Sequence, residues 1–241
     1  MFVNDYNTDR FIQHLHGAMA RKTKEEAQAT REGILDAALA CFHETGVAST
    51  SLAAIGERAG YSRGAVYWHF KNKTEVLEAI IQRERIPFIK RLRRTYSPDR
   101  VTPVLDLRSA MLVSVSELAN DPRLRNMMEI MLRNDLSAES QAMQKLQHDS
   151  LDEELAIFRR ALERAQELGQ LRDNVDTTTV ARILYAGLTG VLYGAMMEPK
   201  HFDLERDNLE TMDALLSYYV KPGVFTPGAP PSPLPDPDEA D

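Results

Sequence analysis

The 241-residue sequence predicts an all-α protein made of a small N-terminal and a larger C-terminal helical region. Apolar residues recur three and four positions apart along most of the chain, which is the spacing of amphipathic helices. No segment shows the alternation of apolar and polar residues that a half-buried strand requires. Hydrophobic residues make up 43% of the chain, which is enough to bury a core in each region.

The first predicted helix runs from about Lys24 to Glu44 and ends at Gly46, where a residue without Cβ favours a helix stop. Its apolar stripe includes Ile34, Leu35, Ala38, Leu39 and Phe42. Residues 1–19 show no clear periodicity and are predicted to form a disordered N-terminal extension, in which the pair His14 and His16 is a weak metal site.

Two short helices joined by a tight turn follow within residues 20–72, the predicted helix-turn-helix domain. Ser51 is a good cap for the first, over about Ser51–Ala59, and Gly60 suits the turn. Ser62 caps the second, in which Val66 and Phe70 lie four residues apart on the inward face.

The outward face of the second helix is predicted to enter a DNA groove. Gly64 and Ala65 leave room for a close partner, and Arg63 can bind a guanine edge. Hydrogen-bond donors beside them suit phosphate oxygens. The predicted DNA-binding residues are Ser51, Ser62, Arg63, Gly64, Ala65, Tyr67, Trp68, His69 and Lys73.

Charge is distributed in the way that this interpretation requires. The whole chain carries −7, but residues 20–94 contain 14 Lys and Arg against 9 Asp and Glu, a net charge of +5. The remainder carries −12. A basic helix-turn-helix region favours contact with phosphates, while the acidic remainder argues against nonspecific coating of nucleic acid.

Three motifs resemble the TetR family of transcriptional regulators: Ile34–Phe42, Ala59–Ala65 and the run Tyr67-Trp68-His69-Phe70-Lys71-Asn72-Lys73. The opening Met19–Arg31 is similar to AcrR-like repressors of multidrug efflux pumps. The resemblance implies a TetR-like fold, with a three-helix DNA-binding domain followed by a helical ligand-binding and dimerisation bundle.

The predicted C-terminal domain covers residues 73–220. Asn72 and Glu75 form a capping box that opens a connecting helix containing Pro87, and the basic run Lys90–Arg94 is expected to be a solvated face. Residues 221–241 form a tail rich in Pro and acid, which is predicted to be disordered, at least toward its end. Further helices are predicted over about residues 103–120, 122–134, 138–168, 177–197 and 204–220.

Many Met and aromatic side chains lie in these helices, and most Met in a bundle is simply core. The resemblance nevertheless implies a drug site here. If Glu154 faces it, flat aromatic or cationic compounds are favoured. The implied ligand-binding residues are Met111, Ser114, Met128, Leu132, Leu151, Glu154, Phe158, Tyr185, Leu188 and Thr189.

Gly187, Gly190 and Gly194 are predicted to lie at a dimer interface, because glycine inside a helix is destabilising unless another helix approaches closely. In the resemblance, dimers form through the last two helices. A symmetric dimer also fits a palindromic operator, with half-sites about 34–36 Å apart or a multiple of that.

The sequence therefore predicts a cytoplasmic, homodimeric TetR-type repressor that binds palindromic operator DNA and is released by small apolar or aromatic ligands. The operon is expected to encode a multidrug efflux pump, with a catabolic or lipid-metabolism operon as the alternative. A helical enzyme and a pure protein-interaction module are the rivals from other classes. No nucleophile-base pair, phosphate-binding loop, cofactor motif or metal spacing favours the enzyme.

Overall fold

The structure is a computed structural model that describes the backbone of residues 6–133 and 141–234, and the side chains of residues 23–132 and 145–234. Regular structure in these ranges is α-helical, apart from one antiparallel bridge between Leu171 and Val220. The predicted all-α class is confirmed. The helices are α1 (Tyr6–Thr45), α2 (Leu52–Ala59), α3 (Arg63–His69), α4 (Lys73–Arg94), α5 (Pro103–Asn120), α6 (Pro122–Arg133), α7 (Gln141–Glu167), α8 (Thr177–Met197) and α9 (Leu204–Tyr219).

The chain divides into two compact units, residues 1–77 and 78–241, and α4 begins in the first and continues in the second. In the first unit the predicted stripe of α1 is buried, with Ile34, Leu35 and Ala38 completely covered. α1 packs against α2, and α2 packs against α3; these two helices contribute Ile55 and Val66, both also 0% exposed. The small helices are therefore held by the core that their apolar spacing predicts.

α1 begins at Tyr6 instead of near Lys24. The segment for which the sequence predicts a disordered extension thus continues α1 backwards along the chain. Its side chains before Thr23, including His14 and His16, and its backbone before Tyr6 lie outside the described residues.

In the second unit, α5 lies at the centre of the core and contacts α6, α7 and α9. Leu107, Ala110 and Met111 of α5 are completely buried, together with Phe158 of α7 and Leu184 of α8. α8 packs against α7 and α9. By length and composition α8 is apolar enough to cross a membrane. An 18-residue stretch of it has a mean hydropathy of 1.4, and 33% of that stretch is buried.

The basic run at the end of α4 differs from the solvated face that was expected. Arg91 is only 8% exposed, and it donates hydrogen bonds to the Ser114 hydroxyl and to Glu117 of α5. Leu92 is completely buried. The expectation was wrong at these two positions because α4 lies against α5 and α7 and exposes only part of its surface.

The C-terminal segment, residues 221–234, packs against the helices of the second unit. Val224, Phe225 and Leu234 lie on its core, and the backbone N–H of Gly228 donates to Asp213 at 2.6 Å. Arg108 donates to the carbonyl of Ala229 at 2.8 Å. The prediction of a disordered tail is therefore wrong for these residues, while residues 235–241 lie outside the described ones.

Candidate nucleic-acid interface and ligand site

The turn between α2 and α3 is built by local caps, as the sequence predicts. The Ser51 hydroxyl accepts from Ala54 N–H at 3.1 Å, and the Ser62 hydroxyl accepts from Ala65 N–H at 3.2 Å. Gly60 has φ +73°, a left-handed conformation that favours glycine. Gly56 was not predicted to matter, yet a Cβ there would lie 3.0 Å from Val66 Cγ2, so this glycine allows α2 and α3 to cross closely.

The face of α3 opposite the buried Val66 is open to a partner. Arg63 and Gly64 are exposed, Tyr67 is 47% exposed and Trp68 is 73% exposed. The Arg63 guanidinium lies 5.2 Å from the centre of the Tyr67 ring, so that the ring orients the arginine. Large exposed aromatic rings beside an arginine and a glycine form a surface suited to DNA.

His69, the last residue of α3, is partly buried. Burial lowers its pKa, and the positive charge of Arg31 lowers this pKa further. The imidazole is therefore mainly neutral at neutral pH. It can donate one N–H to a phosphate but adds no positive charge there.

Lys73 stabilises the first unit through two hydrogen bonds of its side chain. Its Nζ donates to the carbonyls of Val47 and Ala48, both at 2.7 Å, in the loop that precedes α2. An ammonium group has three N–H donors, so one is left for a phosphate. The capping box beside it forms with one change, because Asn72 Oδ1 accepts from Glu75 N–H while Glu75 accepts from Lys71 N–H.

The residues implied for the ligand site lie on four helices of the second unit, α5 to α8, and several of them are buried in its core. Met111 and Phe158 are 0% exposed and Leu188 is 6% exposed. Two of the polar members already have partners: the Ser114 hydroxyl accepts from Arg91 and the Thr189 hydroxyl donates to the Tyr185 carbonyl. Met128, Leu132 and Leu151 are half-buried.

One part of this region combines aromatic rings with charge. The rings of Phe158 and Tyr185 meet edge to face with centroids 6.4 Å apart. Burial raises the pKa of Glu154, which is one helical turn before Phe158. Glu154 accepts a hydrogen bond from Arg85 of α4 at 2.8 Å, a partner that sequence reasoning missed. Residues 69 positions apart cannot be paired from helical spacing, which relates only neighbours on one helix.

The three glycines of α8 have different neighbours. A Cβ on Gly187 would lie 2.8 Å from Leu215 Cδ1 of α9, and one on Gly194 would lie 2.8 Å from Phe202. The close approach at these two positions is therefore made within the chain. A Cβ on Gly190 would meet nothing within 4 Å. Gly190 shares an exposed helical face with Tyr193 and Met197, which are 56% and 51% exposed.

Among the side chains that the structure describes, no group of three or more His, Cys, Asp or Glu residues could hold a metal ion. One unit has a short helix, α3, with an exposed face that contains arginine and aromatic side chains. The other has a helical core that contains aromatic side chains and an ion pair. Together they define a helix-turn-helix DNA-binding regulator with a separate helical domain.

Comparison with known proteins identifies the family. The model described as "Bacterial regulatory proteins, tetR family" matches residues 34–80, and that of the "MAATS-type transcriptional repressor, C-terminal region" matches residues 102–221. The chain is 36% identical over 191 residues to the transcriptional regulator TtgR of Pseudomonas putida, covering 78% of this chain and 90% of that protein. It belongs to the TetR family and is a transcriptional repressor, not an enzyme.

Further relatives are found by sequence and by structure. AcrR of Shigella flexneri is 31% identical over 84% of this chain and 94% of its own length. SmeT, the repressor of the Stenotrophomonas maltophilia multidrug efflux pump SmeDEF, is 54% identical with a TM-score of 0.80, over 87% of this chain and 99% of that chain. A SmeT complex with triclosan gives 56% identity and a TM-score of 0.83, over 86% and 99%. As a TetR-family repressor, the chain binds operator DNA, dimerises and binds a small-molecule ligand.

Proposed function

We propose that this protein is a cytoplasmic, homodimeric repressor of a multidrug efflux operon, released from a palindromic operator by small apolar or aromatic ligands. The observation that carries the proposal is the likeness to SmeT, an efflux-pump repressor, at 54% identity over 99% of its solved chain. The exposed Arg63, Tyr67 and Trp68 face of α3 supports the operator contact. The aromatic pair Phe158 and Tyr185 supports the ligand class.

The operon is tested directly by footprinting the protein on the DNA upstream of its own gene and of adjacent genes. Protection of a two-fold symmetric site before genes for a pump supports the proposal. Protection only before genes for catabolic or lipid enzymes supports the alternative operon and contradicts efflux control.

The proposed dimer uses the exposed face of α8 that contains Gly190, Tyr193 and Met197. Gly190→Leu is expected to give a folded monomer, because the protomer has room for the side chain whereas a closely packed partner helix does not. Sedimentation equilibrium measures the assembly, and circular dichroism checks the fold.

Gly187→Leu is the matched control, since its side chain would collide with Leu215 and Met212 of the same chain. This variant is expected to lower the free energy of unfolding of the protomer itself, whereas Gly190→Leu should remove only the concentration-dependent stabilisation that dimerisation provides. An unaltered dimer in Gly190→Leu would place the interface on another surface.

The proposed release mechanism is tested with triclosan, the compound present in the SmeT complex. Triclosan is expected to weaken operator binding by about 5–150-fold, the usual range for coupled sites. Because the coupling free energy is shared, operator must weaken triclosan binding by the same factor. Calorimetry with and without an operator duplex measures both sides of this cycle.

The control ligand for that cycle is a hydrophilic compound of similar size, which is expected to bind neither form. If triclosan binds with one affinity whether or not operator is present, it does not release the repressor. The operator contact and the fold would stand, and triclosan would be removed as an inducer.

A further inference from the structure

An ion-pair cluster joins α4 to α7 inside the second unit. The guanidinium of Arg85 donates from Nε to Glu154 at 2.8 Å, from Nη1 to Glu153 at 2.9 Å and from Nη2 to the carbonyl of Ser150 at 2.9 Å. Arg93, two turns further along α4, also pairs with Glu153. All three nitrogens of Arg85 are therefore directed at α7, and the four charges of the cluster balance.

The pair of Arg85 and Glu154 is largely buried, so its charges are poorly solvated. The side chains of Arg85 and Glu154 are 20% and 14% exposed, whereas that of Arg93 is 59% exposed. A carboxylate in such a place is unfavourable without a partner, which is why burial raises the pKa of Glu154 although Arg85 opposes the change. Arg85 is the partner that makes the charged form tolerable.

The charge of Glu154 lies beside the aromatic pair of the proposed ligand site. Tyr185 has a pKa raised by burial and, after that, by the negative charge of Glu154. Tyr185 also meets Phe158 edge to face at 6.4 Å. A ligand that separates these two rings would therefore lie close to the carboxylate and to the guanidinium that neutralises it.

We propose that Arg85 determines the charge class of the ligand, by neutralising Glu154 so that the site takes uncharged aromatic compounds and excludes cations. This inference rests on the proposed ligand site and deepens it. A cationic ligand would have to displace a guanidinium held by three hydrogen bonds, or lie unpaired beside it in a poorly solvated place. An uncharged ring meets neither obstacle.

The test uses the full-length protein without DNA and three probes: triclosan, the permanent cation ethidium and the anion 1-anilinonaphthalene-8-sulfonate. Arg85→Met is expected to raise ethidium affinity at least about tenfold, while triclosan affinity stays within about threefold. The gain should grow as the pH rises from about 6 to 8, because it needs the ionised Glu154, whose pKa rises without Arg85. Fluorescence polarisation and calorimetry measure the affinities.

Glu154→Gln supplies an independent variant in which Arg85 keeps Glu153 and loses its other carboxylate. It is expected to raise the affinity for the anion by about tenfold and to leave ethidium weak. The double variant Arg85→Met/Glu154→Gln should lose both gains. Arg93→Met is the matched control, because Arg93 pairs with Glu153 but not with Glu154, and it should change none of the three affinities.

Unchanged ethidium and anion affinities in the two single variants would overturn the inference and make Arg85 only a brace between α4 and α7. Loss of all three probes in parallel would do the same. If wild-type protein binds no triclosan, the proposed ligand site itself fails, which is a separate result from a wrong role for Arg85.

Discussion

Asp213→Ala is expected to destabilise the second unit by about 3–5 kcal/mol, the range for breaking a buried ion pair on one side. Arg108 and Asp213 are 1% and 6% exposed, and they form two hydrogen bonds, from Nε at 2.5 Å and from Nη2 at 3.0 Å. Without the carboxylate, this buried guanidinium would keep the Ala229 carbonyl as a hydrogen-bond acceptor and the Phe225 ring 5.9 Å away, and neither supplies a negative charge. The N–H of Gly228 would lose its acceptor as well.

Urea denaturation followed by circular dichroism measures this loss. Glu163→Ala is the control, since Glu163 and its partner Arg159 on α7 are 43% and 44% exposed. Its removal should change the free energy of unfolding by about 0.5 kcal/mol or less. Replacing both buried partners, as Arg108→Met/Asp213→Leu, should recover part of the loss because no unpaired charge remains. A loss below about 1 kcal/mol in Asp213→Ala would show that the pair does not hold the C-terminal segment in place.

Arg63→Ala is expected to reduce the preference for operator over scrambled DNA by about 1–3 kcal/mol, the value of one bidentate contact with guanine. Tyr67→Phe should keep most of that preference, because the ring under the Arg63 guanidinium remains. Tyr67→Ala should lose part of it. Gel-shift titrations on an operator selected from random duplexes, compared with a scrambled duplex, measure the difference.

Lys73→Ala serves as the comparison for a phosphate contact. It should weaken binding to both duplexes alike and reduce the slope of log K against log salt by about 1. The ties from Lys73 to Val47 and Ala48 are lost as well, so a thermal melt must accompany the titration. If Arg63→Ala and Lys73→Ala behave identically on the two duplexes, Arg63 does not read bases.

Local sequence was sufficient to predict the small DNA-binding unit and most helix bounds, although α1 begins at Tyr6 and not near Lys24 as predicted. Ser51, Gly60 and Ser62 act on backbone groups within three or four residues, so their effects can be read from neighbouring positions. The same is true of α5 and α8, whose bounds, Pro103–Asn120 and Thr177–Met197, agree with the predicted ones. Local hydrogen bonding and helical periodicity contain this information without reference to the rest of the chain.

The pairing of distant charges, in contrast, depends on how the helices pack. Arg108 and Asp213 are 105 positions apart, and Arg85 and Glu154 are 69 apart, so no spacing rule relates them. The Pro-rich C-terminal segment has few apolar residues, a composition that predicts disorder. In the structure, however, Phe225 and Leu234 pack against the core, and Asp213 accepts a hydrogen bond from the backbone N–H of Gly228. Its ordering depends on acceptors and surfaces that α5 and α9 bring together, and a sequence read position by position does not contain that juxtaposition.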